Sequence, residues 1–405
     1  MKLSLLFGIF PPQIYDSIVS NSIGGIQYAA DALQKSIIAG LGALDVDFNI
    51  FNVPFLGSYP QRYSEPKIDD YDFVYDIPET KSRELYNVGF WNIAGYKFFS
   101  RYYRAYKSLL NASEKNSLGD VLLIYSIHLP FLKAAVDIKR KIPNLKLVLI
   151  VPDLPEYMAA SRSYPEMLLM KGNLAILERL YKYVDGYVLL SKYMTERLPV
   201  NSKPFTVVEG IYNPQDTPEC AKLEKDSTSY ILYTGTLAKR YGVLNLVKAF
   251  MQLKRKDINL VICGDGDSKE EITRLSKIDS RIVYKGLVKR DEALRLQQNA
   301  MLLVNPRTPE GEFTKYSFPS KTMEYLASGV PTLLYRLPGI PEEYYNYCFS
   351  MDDLSLEALT DKLESIIEMS RDELTEIGAR ACQFIYEKKS PRNQSMKIFK
   401  LISEL

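Results

Sequence analysis

Short apolar runs alternate with helical patterns along this chain, and that alternation narrows its fold more than any other feature. The runs are Leu3–Phe7, Val121–Tyr125, Leu147–Val151, Gly186–Leu190, Tyr230–Tyr233, Asn259–Cys263, Arg281–Tyr284 and Met301–Val304. Several are rich in Val, Ile and Leu, as strands buried on both faces are. Between them, Tyr28–Ala39, Val243–Leu253, Asp291–Asn299 and Ser320–Ser328 carry helical periodicity. The repeated β–α–β order predicts an α/β chain with parallel sheets and crossover helices.

The pattern breaks near 200–230. The segments Pro199–Pro204 and Asn213–Ser229 are rich in Pro, Asp, Ser and Lys and lack periodicity, and Tyr230 then opens a fresh strand, Gly loop and helix. At 405 residues, two Rossmann-like domains facing across a cleft fit best. The expected boundaries are 1–205 and 206–385, with 386–405 a terminal helix packing back across the hinge. Ligands in such sheets bind outside the carboxyl ends of the strands.

Composition excludes several functions. A net charge of +2 argues against a nucleic-acid partner. One histidine rules out a multi-His metal site, and no metal is expected. Cys220, Cys263, Cys348 and Cys382 are scattered with no CxxC pair, which fits a reducing, cytoplasmic compartment. The start MKLSLLFGIFPP reads as a buried first strand rather than a signal peptide, since its apolar run is short and ends in Pro-Pro. No run of about 20 apolar residues exists to span a bilayer.

Charge is uneven beneath the neutral sum. Ten bases face three acids from Lys97 to Lys146, whereas eight acids face two bases from Leu41 to Thr80. The basic stretch overlaps an aromatic run, with Trp91, Phe98, Phe99, Tyr102, Tyr103 and Tyr106 around Lys97, Arg101 and Arg104. Aromatic rings beside cations suit the inner face of a membrane, reached by 90–107 as a peripheral contact. A core-packing helix with a solvated basic face is the equal alternative.

Three loops carry candidate ligand chemistry. In Pro306–Gly339, Ser320, Lys321 and Glu324 open a helix, whose free N–H groups and positive end suit a phosphate. Lys321 adds a cation, and Glu324 would accept from ribose hydroxyls; an ordinary capped helix is the alternative. In Tyr233–Gly242, Gly235 permits close backbone approach, and Lys239 and Arg240 would neutralise phosphate. The third, Cys263–Ser268 with its Asp265-Gly266-Asp267, reads as a Gly turn with exposed acids, in preference to a metal-binding DxD.

The order Gly235-Thr-Leu…Gly242, Gly264-Asp-Gly266, Tyr284-Lys-Gly286-Leu287-Val and Phe318-Pro-Ser-Lys-Thr-Met-Glu324…Gly329-Val-Pro331 resembles the glycosyl transferases group 1, the retaining GT4 family. The resemblance covers about residues 230–345 closely and the N-terminal half weakly, and its FPSKTMEYLASGVP tract is similar to bacterial capsule, exopolysaccharide and O-antigen enzymes. It implies the GT-B fold, an N-terminal acceptor half and a C-terminal nucleotide-sugar half. Glu324 matches the second Glu of the family's E-x7-E motif, while Tyr316 stands where the first belongs. Thr236 and Tyr241 stand where the family often has Arg and Lys for the diphosphate. Lys321, Lys239 or Arg240 would therefore replace those cations.

In the N-terminal half, the resemblance puts Gly24-Gly25 on the acceptor side of the cleft and sets His128 against the transferred sugar. A structural histidine is the equal alternative for His128. Asp153 follows the strand ending at Val151 and would bind acceptor hydroxyls or guide a proton, unless it is only a turn carboxylate. The implied function is transfer of a sugar from a UDP- or GDP-sugar to a saccharide or lipid-linked saccharide, with retention, in bacterial surface polysaccharide synthesis. No cofactor beyond the nucleotide sugar is implied. A catalytically silent sugar-nucleotide-binding subunit and a sugar-nucleotide epimerase are the competing readings.

Overall fold

The computed structural model describes residues 1–78, 80–157, 164–200, 202–214 and 229–405. Cys220 and most of the 213–229 segment, read above as part of the linker region, lie outside them. The chain forms two units, Met1–Ile211 with Pro391–Leu405, and Tyr212–Ser390.

The first unit is built on an eight-stranded sheet. Its middle strand is β1 (Leu3–Phe7), five buried residues, flanked in parallel by β2 (Phe48–Asn52) and β7 (Val121–Tyr125). Small two-residue strands β3 (Lys67–Ile68) and β6 (Phe90–Trp91) pair separately. Beyond β2 lie β5 (Arg83–Asn87) and then β4 (Tyr71–Tyr75), which runs antiparallel to β5. The otherwise parallel sheet thus departs from the expected pattern at that edge, where β4 has three exposed residues and no neighbour on its far side. Beyond β7 come β8 (Lys146–Val151), β9 (Gly186–Leu189) and β10 (Phe205–Val207). The strand order reverses between β1 and β7, so a ligand crevice is expected at their carboxyl ends.

The helices of this unit are α1 (Tyr15–Asn21), α2 (Tyr28–Ala43), α3 (Lys97–Glu114), α4 (Leu129–Lys141) and α5 (Tyr164–Tyr181).

The second unit has six parallel strands. They are β11 (Tyr230–Thr234), β12 (Asn259–Cys263), β13 (Ile282–Gly286), β14 (Leu302–Asn305), β15 (Thr332–Tyr335) and β16 (Phe349–Met351). Their order, β13-β12-β11-β14-β15-β16, is the doubly wound arrangement, with its switch point between β11 and β14. The helices are α6 (Val243–Gln252), α7 (Lys269–Ser276), α8 (Arg290–Gln298), α9 (Ser320–Ala327), α10 (Leu356–Ile367) and α11 (Arg371–Lys388). Val243, Leu246, Val247 and Phe250 make one face of α6, and all are fully buried against Ile231, Leu260 and Ile262. Each such apolar side chain contributes on the order of 2 kcal/mol by leaving water. A reciprocal capping box between Ser370 and Glu373 starts α11.

The terminal helix α12 (Pro391–Ser403) returns to the first unit. Ile398, Leu401 and Ile402 join its core, and Ser395 Oγ donates to the Ile37 carbonyl of α2 at 3.3 Å.

Candidate functional site

In the second unit, the loops leaving β11 and β14 meet at the switch point. Gly242, at φ +74°, closes the first loop, and a Cβ there would fall 2.2 Å from the Pro306 carbonyl oxygen. Only glycine allows that approach. Gly235 takes an extended turn at the other end of the loop, where the Tyr233 hydroxyl donates to the Thr236 carbonyl at 2.8 Å. The Gly264–Asp267 turn braces this loop from below. Lys239 N donates to Asp267 Oδ1 at 2.7 Å, and Leu237 N donates to the Asp265 carbonyl at 2.9 Å. The Asp267 carboxylate and the Asp265 backbone therefore shape the loop. Among the described residues, no three His, Cys, Asp or Glu side chains gather as metal ligands.

Two guanidiniums crown these loops. Arg240 lies over the Tyr241 ring at 5.1 Å and the Phe313 ring at 5.4 Å, and Arg307 lies over the same rings at 5.2 and 4.7 Å. Arg307 Nη2 donates to Ser317 Oγ at 3.1 Å, while its Nε is buried without a partner. Burial lowers the Arg307 pKa, and the charge of Arg240 adds to the drop. Shared aromatic faces hold two like charges close together, a geometry suited to a polyanion. Sequence reading singled out Arg240 as a candidate to neutralise phosphate. Arg307 was not singled out, although it stands in the same Pro306–Gly339 tract, because its value depends on the two loops meeting.

Helix α9 follows. Pro319 caps it without a side-chain hydrogen bond, and Ser320 at its first position is exposed. Lys321 Nζ donates to Glu324 Oε1 at 2.7 Å, so the two residues expected to split phosphate and ribose duties are themselves an ion pair. Gln297 Nε2 donates to the same oxygen at 2.7 Å, and Arg290 lies 3.6 Å from the other. Burial alone would raise the Glu324 pKa, but Lys321, Gln297 and Arg290 outweigh it and hold the carboxylate below its usual range. Gln297 also donates to Thr234 Oγ1 at 3.0 Å, tying this carboxylate to the end of β11. Arg290 and Gln297 carried no motif that sequence reading could use.

The remaining residues of this half scatter around that centre. Gly286 ends β13 at φ +71°, and Leu287 beside it is 76% exposed. Thr236 and Lys239 are exposed on the β11 loop. Tyr316, by contrast, is 3% exposed, so its ring packs in the interior instead of lining open space.

In the first unit, His128 follows β7 as the N-cap of α4, at the switch point of that sheet. Its ring is enclosed by Phe131, Phe55 and Phe98, with centroids at 4.5, 5.4 and 6.4 Å. Burial, with Arg101 and Lys97 nearby, drives its pKa well below the ordinary value, so the imidazole is neutral. Its Nδ1 is buried without a hydrogen-bond partner. Gly24 and Gly25 precede α2, and Arg62 Nη2 donates to the Gly25 carbonyl at 3.3 Å. Asp153 follows β8; its surface is open to solvent, yet the protein packed around it pushes its carboxyl up to about 6.

Comparison with known proteins bears on the fold and on the second unit. Residues 228–369 match the family described as glycosyl transferases group 1. No curated protein sequence matches the chain. Among solved structures, sucrose-phosphate synthase from Thermosynechococcus elongatus superposes with a TM-score of 0.62 at 13% identity, covering 100% of this chain and 98% of that one. The lipopolysaccharide outer core galactosyltransferase WaaB gives 0.61 at 16% identity, with both chains covered completely. Anabaena HepE in complex with UDP gives 0.62 at 14% identity, again over both full chains. Residues 228–369 of the C-terminal unit thus match the glycosyl transferases group 1, and the chain as a whole has the two Rossmann-like domains of the GT-B fold that these glycosyltransferases share.

Proposed function

We propose that this enzyme moves a sugar from a nucleotide-diphosphate donor to a saccharide or lipid-linked saccharide in bacterial surface polysaccharide synthesis, with retention. One observation carries the donor half of this reading: Arg240 and Arg307 sit together over Tyr241 and Phe313, beside the Gly235 loop. In the family pattern the diphosphate cations occupy positions 236 and 241, which are Thr and Tyr here. Two arginines from neighbouring loops restore the charge by another route. UDP is the favoured carrier, since the similar HepE structure holds it.

In the proposed reaction the sugar C1–phosphate oxygen bond breaks as the acceptor oxygen bonds to C1 from the same face. The acceptor proton passes to the departing phosphate oxygen. Arg240, Arg307 and the first amides of α9 stabilise the charge that develops on that phosphate. Glu324, held ionised by its neighbours, receives the ribose hydroxyls. His128 is neutral and enclosed, which suits hydrogen bonding to a sugar hydroxyl better than proton transfer. These groups need no metal for the charge they handle.

The membrane-facing reading has support in α3 and its surroundings. Trp91, Phe98, Phe99 and Tyr103 are 41–54% exposed, and Lys107 and Lys133 lie over Tyr103 and Tyr102. No helix among the described residues is long and apolar enough to cross a membrane. A surface contact with anionic lipid would bring a lipid-linked acceptor to the enzyme.

A panel of UDP- and GDP-sugars, incubated with and without bacterial lipid extract, tests the proposal through nucleotide release. Release that requires acceptor, together with a product whose anomeric configuration matches the donor by NMR, is the expected result. Binding of donor without turnover under any condition would point instead to a silent subunit.

A further inference from the structure

Three cations of the first unit lie together with no carboxylate beside them among the described residues. Lys97 and Arg101 stand one turn apart on α3, and the charge of Arg62 reaches Lys97. Arg101 is 4% exposed. Its Nη2 donates to the Pro54 carbonyl, its guanidinium lies over Phe90 at 4.6 Å and Phe55 at 5.7 Å, and its Nε is buried with no partner. Lys97 Nζ donates to the Leu56 carbonyl and, at 3.4 Å, to Ser58 Oγ. Burial, followed by the charges of Arg101 and Arg62, brings its ammonium down to about 6.

The neighbouring bases behave differently. Arg104 pairs with Asp70, Lys133 and Arg140 with Asp137, and Lys139 with Asp185. The Lys97 group instead holds its positive charge against carbonyl dipoles, as Arg83 and Lys203 do singly elsewhere in the unit, but here three cations gather. Buried charge is ordinarily paired, because desolvation costs several kcal/mol per ion. The group also sits where a ligand is expected. The 53–58 loop follows β2, and His128, which shares the Phe55 ring with Arg101, follows β7 at the sheet's switch point.

We propose that Lys97, Arg62 and Arg101 form the seat of a phosphoryl group carried by the acceptor. Lys97 and Arg62 supply donors at the surface, and Arg101 supplies charge from beneath. A phosphoryl dianion matches several cations better than a single carboxylate does, and the planar guanidinium forks suit its oxygens. The proposal rests on the reading of this unit as the acceptor half.

The test is equilibrium binding to the full chain, with the donor site filled by saturating UDP. The probes are glucose 1-phosphate in solution and phosphatidylcholine vesicles carrying a polyprenyl phosphate. Binding of the first supports a soluble sugar phosphate; binding of the vesicles alone supports a lipid phosphate. In Lys97→Met/Arg62→Gln, affinity for the bound probe is expected to fall at least tenfold, with UDP affinity unchanged. Thermal melting of the variant shows whether it folds, and Arg62→Gln alone, at an exposed position, should still lose affinity severalfold. Wild-type protein that binds neither probe, variants that bind as well as wild type, or equal binding of glucuronate would overturn the assignment. UDP binding, read in the same titrations, reports on the glycosyltransferase reading separately.

Discussion

The Lys321 ammonium sits 2.7 Å from the Glu324 carboxylate, one turn along α9, with Gln297 on the same oxygen. The carboxylate is thus held in one place before any ligand arrives. Glu324→Gln keeps the shape and removes the charge that Lys321 and Arg290 face. The expected outcome is a rise in donor KM of roughly tenfold or more, from the lost charge-assisted bonds to ribose. A loss of no more than about 1 kcal/mol in stability should accompany it, because water can solvate the partly exposed Lys321 and Arg290 once the charge is gone. Donor-dependent initial rates and thermal melting check both.

Arg307→Ala should lower turnover by about 10²–10³, the scale typical of one charge-stabilising donor in a transition state. Arg240→Ala should cost less, since Arg240 is more exposed than Arg307. The double variant should fall short of the product of the two effects, because both guanidiniums share Tyr241 and Phe313. Single-turnover kinetics with a UDP-sugar would measure this; additive losses would show that the arginines act separately.

Lys97→Met should stabilise the first unit. Burial and the charges of Arg101 and Arg62 lower the folded pKa of Lys97 from 10.5 to about 6. Between those values the unfolded chain binds the extra proton, so the penalty is greatest near pH 6 and fades as pH rises toward 10. The variant should therefore melt above wild type by an amount on the order of 1 kcal/mol or more, with the gap narrowing from pH 6 to pH 9. A gap that widened with pH would contradict the burial of an unpaired ammonium.

Tyr325→Phe tests the support beneath the donor loop. The Tyr325 hydroxyl accepts from Thr234 N at 2.8 Å and donates to the Thr234 carbonyl at 3.0 Å, fully buried. Its loss should cost about 1–3 kcal/mol. In a unit of this size that is several degrees of melting temperature. Donor affinity should weaken too, since Thr234 leads directly into Gly235.

Phe99→Ser/Tyr103→Ser should reduce sedimentation with anionic vesicles severalfold while leaving UDP binding unchanged. These rings stack at 6.2 Å and 7° on the exposed face of α3, so their removal should not disturb the core.

By itself, the sequence determined the layered fold. Apolar runs such as Leu3–Phe7 and Asn259–Cys263 are strands with those same limits, because burial on both faces demands an unbroken apolar run. The Gly235–Gly242 loop and the start of α9 were legible for a similar reason: glycine and proline punctuate backbone locally. The antiparallel β4 was not, since an exposed edge strand needs no apolar signature. Tertiary structure alone decided which charges meet. Arg307 reaches Arg240 only because β11 and β14 are neighbours across the switch point, although more than sixty positions separate the two arginines. Lys97 and Arg101 look, in sequence, like the solvated face of a basic helix. The loop after β2 folds over them, burying Arg101 and half-covering Lys97, and charge held there without a counter-ion is what turns a surface feature into a candidate site.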